Sequence, residues 1–320
     1  RRARAEAQAF RSSSVFPPHE TMKTRVSVTI TTKNESANIE RCIRSIALQD
    51  VPVRIVVVDN GSTDDTKKIA RKYTRFVYDK GPERSAQRNY GMIKRSATEF
   101  VMFIDADMIL SSGVIRACLT AMAGTKADAL HIPEIVLGRN FFSRVRRFER
   151  SFYDGTVIDG ARFFRRSAFI RAGGFDETMS GPEDWDIDKK IKARGAIALL
   201  DDRTRTENVR WNALFGAFLH DRGVDHQKQK TCIFHNEAEF ELSKYLKKKS
   251  YYIGSFDTYT AKWGAEDADV KKQLGMYYRM FGVFTESWKW TRLIAHPLLS
   301  CGMYFLRALV GVRFVFRPKK

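Results

Sequence analysis

Cysteine is scarce and spaced without pairing. Cys42, Cys118, Cys232 and Cys301 are widely separated, with no CxxC among them. This excludes a disulfide framework and a cysteine-built zinc site, and it fits a reducing, cytoplasmic setting. Acidic residues are in deficit too: 37 Asp and Glu stand against 56 Lys and Arg, a formal net charge of +19. Such an imbalance points to an anionic partner, for which nucleic acid, anionic lipid and a phosphorylated substrate are the candidates. Long apolar runs are missing as well. The longest charge-free stretch near the C-terminus, residues 293–306, is about 14 residues and holds His296 and Pro297, short of the roughly 20 needed to span a bilayer. Residues 1–21 are rich in Arg, Ser and Pro and lack an apolar core of signal-peptide length. They read as an expression scar or a disordered basic arm, with Met22 as a natural start.

What the chain has is length and alternation. Its 320 residues can bury a large core. The first half alternates β-branched runs with amphipathic stretches, which predicts βαβ units and a Rossmann-like, doubly wound, mainly parallel α/β sheet over residues 22–240. Strands are expected at 26–32, 54–59, 75–79 and 100–104, then at 127–136, 160–165, 196–200 and 232–234. Helices are expected at 37–48 and from 66 to 73, after the loop that opens at Gly81, and at 187–194. From residue 241 to 320 the pattern turns helical, rich in aromatic residues, with Lys and Arg outnumbering Asp and Glu more than two to one. That mixture is typical of helices at a membrane interface, and it sets nucleic acid behind a membrane surface as the partner. An ordinary core helix pair or a homo-oligomer interface would look similar.

Chemistry concentrates at strand ends. Asp105-Ala106-Asp107 follows the apolar run Phe100 to Ile104, so two carboxylates project where a buried strand meets solvent. They could share one hard cation, Mg²⁺ or Mn²⁺, that keeps positions open for phosphate; a solvated strand end is the plain alternative. In a doubly wound sheet ligands sit beyond the carboxyl ends of the strands, where Thr31, Asp59 and Asp105 all fall. Arg84, Ser85 and Arg88 lie where a loop turns into a helix, a place that suits a pyrophosphate, though Arg84 could equally be a solvated surface group. Glu183 and Asp184 open a helix that also holds Trp185, Asp186 and Asp188, where capping alone would favour acids.

Six segments in this order, Val28 to Glu35, Val56 to Asp64, Arg88-Asn89, Asp105-Ala106-Asp107, Gly173 to Glu177 and Pro182-Glu183-Asp184, resemble the family 2 glycosyltransferases. The resemblance covers roughly residues 25–240. It implies the GT-A fold, a nucleoside diphosphate sugar as donor (UDP ahead of GDP), a divalent cation and inversion at the anomeric carbon. It also implies a base-contacting role for Asp59 and a nucleoside pocket lined by Thr31 and Glu35, although Glu35 could instead support the helix that follows. Asp107 would meet the metal, and Asp105 with Ala106 the ribose or metal. By the same resemblance Asp184 is the base that takes the acceptor's proton, beside Glu183, and His235 is a third metal ligand, with His220 and His226 as competitors. Glu207-Asn208-Val209-Arg210-Trp211 departs from the Gln-x-x-Arg-Trp signature of processive members, which argues for transfer of a single sugar. The acceptor that the basic, aromatic C-terminal part suggests is lipid-linked or a glycan, met from the cytoplasmic face of a membrane.

Two enzyme rivals and one binding module compete with this reading. A sugar nucleotidyltransferase would open with a Gly-rich phosphate loop after its first strand, and Thr31-Thr32-Lys33-Asn34 is not one. A haloacid-dehalogenase-type phosphatase carries its Asp-x-Asp on the first strand rather than the fourth. A basic nucleic-acid or lipid-binding module would leave the carboxylates incidental. Asp107→Asn should abolish the Mn²⁺-dependent part of any thermal shift produced by nucleotides, and a full metal-dependent shift in that variant would count against the site.

Overall fold

The computed structural model describes residues 24–202 and 208–315. The expected arm at 1–21, the start at Met22 and the signature residue Glu207 lie outside the described residues. A seven-stranded sheet forms the centre, in the order β3-β2-β1-β4-β8-β6-β9. β1 (Val26–Thr32) is buried at every position, as befits a central strand covered on both faces. β2 (Val53–Asp59) and β4 (Phe100–Asp105) flank it in parallel, and the register sets Thr31 opposite Val58 on one side and Asp105 on the other. Their carboxyl ends therefore reach the same level. β3 (Val77–Asp79) extends the parallel edge. On the other side β8 (Ala161–Arg165) runs antiparallel to β4 and to β6 (Ala127–His131), while β9 (Ala196–Leu199) rejoins β6 in parallel.

Helices cover both faces. α1 (Ile39–Ala47) buries Ile39, Cys42, Ile43 and Ile46, a spacing of one helical stripe. α2 (Thr66–Ala70) and α3 (Arg84–Asn89), which continues as a π turn (Tyr90–Lys94), complete the first half. Gly91 in that turn meets β1 directly: a Cβ there would sit 2.3 Å from Thr29 Cγ2. α4 (Val114–Gly124), α5 (Phe141–Arg150) and α6 (Arg166–Arg171) follow.

Two expectations need correction. The single strand over 127–136 is split, because Pro133 has no N–H to continue a ladder. β6 stays in the large sheet, and β7 (Glu134–Val136) joins a separate three-stranded sheet with β5 (Met108–Leu110) and β10 (Ile233–His235). The helix expected from residue 187 is α7 (Glu183–Lys192); it starts one turn earlier, directly after Pro182, with Glu183, Asp184 and Asp186 in its first turn. His131 ties α7 to the sheet, its Nε2 lying 2.6 Å from Asp188 Oδ2.

α8 (Val209–Asp221) precedes β10, and the chain then turns helical through α9 (Leu242–Ile253), α10 (Phe256–Trp263), α11 (Ala268–Leu274) and α12 (Thr291–Ala295). The charge-free run at 293–306 does not form one element. It breaks at His296, and α13 (Pro297–Val315) carries on for 19 residues through Arg307 and Arg313. By length and composition α13 is long and apolar enough to cross a bilayer, with a mean hydropathy of 1.2 over Pro297–Phe314. One face packs on α5, where a Cβ at Gly302 would meet Val145 and Phe141. Leu298, Cys301, Phe305, Ala308 and Val312 form an exposed stripe on the other. Gly91→Val should cost about 1–3 kcal/mol by overpacking against Thr29, read as a lower urea midpoint; an unchanged midpoint would show that the turn can move aside.

Candidate active site

A cavity of about 740 Å³ opens where β1 and β4 end. Thr31, Glu35, Arg84, Arg88, Asp105, Ala106, Asp107, Asp184 and His235 all line it, so most of the expected site residues come together. The strand tip is tightly built. Thr31 Oγ1 donates to Asp105 Oδ1 at 2.7 Å, and Ala106 N donates to Thr31 O at 3.1 Å, which fixes the turn between β4 and β5. Burial would raise the Asp105 carboxyl, but the guanidinium groups of Arg88, Arg84 and Arg162 hold it below the usual carboxylate range.

Asp107 and His235 face each other, with Nε2 3.2 Å from Asp107 Oδ2. The other ring nitrogen, Nδ1, lies 2.8 Å from Glu134 Oε1, so a carboxylate behind the histidine sets its orientation. Burial works against protonation of His235, yet Asp107, Glu237 and Glu134 together raise it well above the ordinary histidine range. A crowd of acids thus favours positive charge at this point. Among the described residues no group of three His, Cys, Asp or Glu side chains gathers as a metal cage. Asp107 Oδ1, however, is buried with no hydrogen-bond partner. An orphaned carboxylate oxygen beside an oriented imidazole suits a cation that takes few protein ligands and fills the rest with phosphate oxygens. Glu35, whose carboxylate accepts from Asn38 Nδ2 at 2.8 Å, is raised by burial and by Asp107 and Asp105 across the cavity.

Arg88 is 1% exposed and binds three acids. Its Nη1 donates to Asp184 Oδ1 at 2.9 Å and lies 3.5 Å from Glu183 Oε1, and its Nη2 lies 3.4 Å from Asp105 Oδ1. The guanidinium also stacks on Phe103 at 4.0 Å. Arg84 reaches Glu183 Oε1 at 3.1 Å. Both arginines thus have protein carboxylates as partners, and Arg84, with a third of its side chain exposed, is the more accessible of the two. Glu183 is raised by burial and by Asp184, against the pull of Arg84 and Arg88. Asp184 sits over Gly160, where a Cβ would come within 2.7 Å of its own Cβ; its Oδ2 has no hydrogen-bond partner among the described residues.

Three expected residues stand apart from the cavity wall: Glu183, which is buried against Arg84 and Arg88, Asp59 and Ser85. Asp59 receives Ser62 N at 2.7 Å and Ser62 Oγ at 2.5 Å, closing the turn after β2, while its neighbour Asn60 lines the cavity. Ser85 is buried, with Oγ 3.5 Å from the carbonyl of Met179. Of the competing histidines, His226 faces Asn212 Oδ1 at 3.2 Å and His220 is on the surface, so only His235 lies in the cavity. Sequence reading missed Glu134, Arg162 and Glu237, which support the strand tip. It also missed the basic side chains of α5, α9 and α13 that line the far half of the cavity.

An acidic pair at a strand tip beside a mainly parallel sheet is the GT-A architecture. Residues 27–174 match the family described as Glycosyl transferase family 2. Among curated relatives it is 32% identical over 113 residues to the glycosyltransferase AglE of Haloferax volcanii, covering 32% of this chain and 37% of that protein. The succinoglycan biosynthesis protein ExoA of Rhizobium meliloti is 26% identical over 194 residues, 53% of this chain and 59% of that one. The chain thus spans well under two thirds of these relatives' lengths. In fold it is similar to the mannosyltransferase PcManGT from Pyrobaculum calidifontis, solved with GDP-Man and Mn²⁺, at a TM-score of 0.56 and 18% identity, covering 98% of this chain and 94% of that one.

Arg88→Ala should cost about 3–5 kcal/mol, because it strands buried carboxylates without their counter-charge. Urea unfolding measures this, and a loss below about 1 kcal/mol, the usual worth of a surface pair, would show that the acids relax into solvent.

Proposed function

We propose that the protein transfers one sugar from a nucleoside diphosphate sugar to a hydroxyl or phosphate of a lipid-linked or glycan acceptor, with inversion and with dependence on Mn²⁺ or Mg²⁺. The observation that carries this reading is that Asp105, Asp107 and His235 meet Asp184 around one cavity at the carboxyl end of the sheet. The family match favours it over the nucleotidyltransferase and the binding module.

Thr31, Glu35 and the Asp59-Asn60 turn border the side where a nucleoside would lie. Arg84, at the start of α3, is placed to neutralise a diphosphate, helped by free backbone N–H groups at that helix start. Asp107 and His235, with Asp105 behind them, would hold the cation, which when bound supplies charge neutralisation for the departing diphosphate. Asp184 is the base. Arg88 holds its Oδ1 and leaves Oδ2 to take the acceptor's proton, so the carboxylate is both oriented and available. Backside attack at the anomeric carbon then breaks the bond to the diphosphate, whose oxygen keeps the electron pair.

The same reading puts the protein on the cytoplasmic face of a membrane, held peripherally. Exposed apolar side chains support this: Tyr277, Trp288, Ile294 and Leu298 are 76%, 75%, 71% and 76% exposed. Each basic residue near an anionic surface would add about 1 kcal/mol to such binding.

A thermal-shift screen of UDP, GDP and their sugars, with and without Mn²⁺, tests the donor; ligands that bind only the folded state raise the apparent stability. Asp184→Asn should keep the metal-dependent nucleotide shift and lose transfer by about 10²–10⁴-fold. An active Asp184→Asn enzyme would move the base to another residue.

A further inference from the structure

The half of the cavity away from the strand tips takes no part in the donor chemistry proposed above, yet basic side chains gather there. Four basic side chains line it from separate segments: Arg146 of α5, Lys249 of α9, Arg279 from the turn at 278–282 and Arg307 of α13. Carboxylates to match them are few. Glu149 receives Arg146 Nη1 at 2.6 Å and Arg307 Nε at 3.1 Å, so two cations share one acid. Glu237 lies 4.0 Å from Arg146 but is engaged by Lys248 at 3.1 Å. Among the described residues Lys249 has neither a hydrogen bond nor an ion pair; its ammonium lies 5.6 Å from the centre of the Tyr245 ring. Arg279 gives its Nε to the carbonyl of Gln273 and has no carboxylate partner among the described residues. Arg146 Nε is buried with no acceptor.

Burying cations without matching anions is costly, and here the cost shows. Burial, with Arg146 nearby, pushes the Lys249 ammonium down to about 7. A ligand that brings negative charge would relieve that crowding. Apolar side chains line the same cavity: Leu274, Met276, Met280, Val310 and Phe314, with Met276 54% exposed. α13, which supplies Val310 and Phe314 to this wall, also carries the exposed Leu298 and Phe305.

We propose that this half of the cavity is the acceptor site, and that the acceptor is a phosphate group carried on an apolar chain. Arg146, Lys249, Arg279 and Arg307 take the phosphate as charge-assisted donors. The chain lies along Leu274, Met280 and Phe314 and leaves beside α13. Two features select this ligand over a bare anion or a bare lipid: the unmatched positive charge, and the apolar wall that adjoins it. The role as acceptor rests on the transferase reading, whereas the binding chemistry does not.

The test is calorimetric titration of the full chain with farnesyl phosphate, farnesol, inorganic phosphate and dihexanoyl phosphatidic acid. Farnesyl phosphate is expected to bind at least tenfold tighter than the other three. Lys249→Met, which breaks no ion pair in the protein, and Arg279→Met should each weaken it at least tenfold. Equal binding of farnesol, or undiminished binding in both variants, overturns the proposal. Inorganic phosphate binding as tightly would reassign the cluster to a free anion, and phosphatidic acid binding as tightly would reassign it to a membrane headgroup; either overturns it too. The Mn²⁺-dependent nucleotide shift, read on the same protein, keeps the two readings apart. A nucleotide shift without farnesyl phosphate binding sinks this inference alone, and the reverse result sinks the donor reading alone.

Discussion

One guanidinium, that of Arg88, holds the site in register. It is inaccessible to water, stacked on Phe103, and surrounded by Asp105, Glu183 and Asp184. Such a charge is tolerated only because its acids are close, and the acids are tolerated only because it is there. The consequence is mechanical. Asp105 belongs to the tip of β4 and Asp184 to the first turn of α7, elements with no chain connection nearby, and a single side chain sets the distance between them. Further along, His131 grips Asp188 on the same helix at 2.6 Å. α7 is thus fixed to the sheet at its start and about one turn on, which leaves Asp184 little freedom to swing.

A second constraint comes from the small sheet. β10 runs antiparallel to β5 and parallel to β7, so three short strands from distant parts of the chain bring His235, Asp107 and Glu134 into line. Glu134 is itself held by Arg162, 2.8 Å away, and Arg162 faces the same Phe103 ring that Arg88 covers. Two guanidinium groups thus lie against this one ring, at 4.0 and 5.3 Å. Imidazole, carboxylate and arginine form a continuous chain from the cavity into the core, and orientation passes along it.

Much of this was legible in the residues. Val26 to Thr32 is β-branched and continuous, and it is the buried central strand; Asp105 and Asp107 stand where an apolar run ends. Local patterns carry such information because neighbours in sequence are neighbours in space. Glu134 was illegible for the opposite reason. Its partners His235 and Arg162 are far along the chain, and nothing in the spacing of three isolated residues signals that they meet. Pro133 was the missed cue that the strand at 127–136 must break. Asp59 and Ser85 show a subtler limit: motif and position were readable, but in the structure their polar atoms satisfy a nearby turn and a loop carbonyl. The span of α13 was underestimated because Arg307 interrupts the apolar count, and only the fold reveals that it reaches Glu149, an acid it shares with Arg146.

α13 presents three different surfaces along one axis. Met303 and Leu306 enter the core, Arg307, Val310 and Phe314 border the cavity, and the stripe from Leu298 to Val312 looks outward. Trimming the protein at its C-terminal end to obtain a smaller catalytic fragment would therefore remove a wall of the chamber along with the outer surface. What remained would be the strand-tip half of the chamber, left open to water on the side where α13 had closed it.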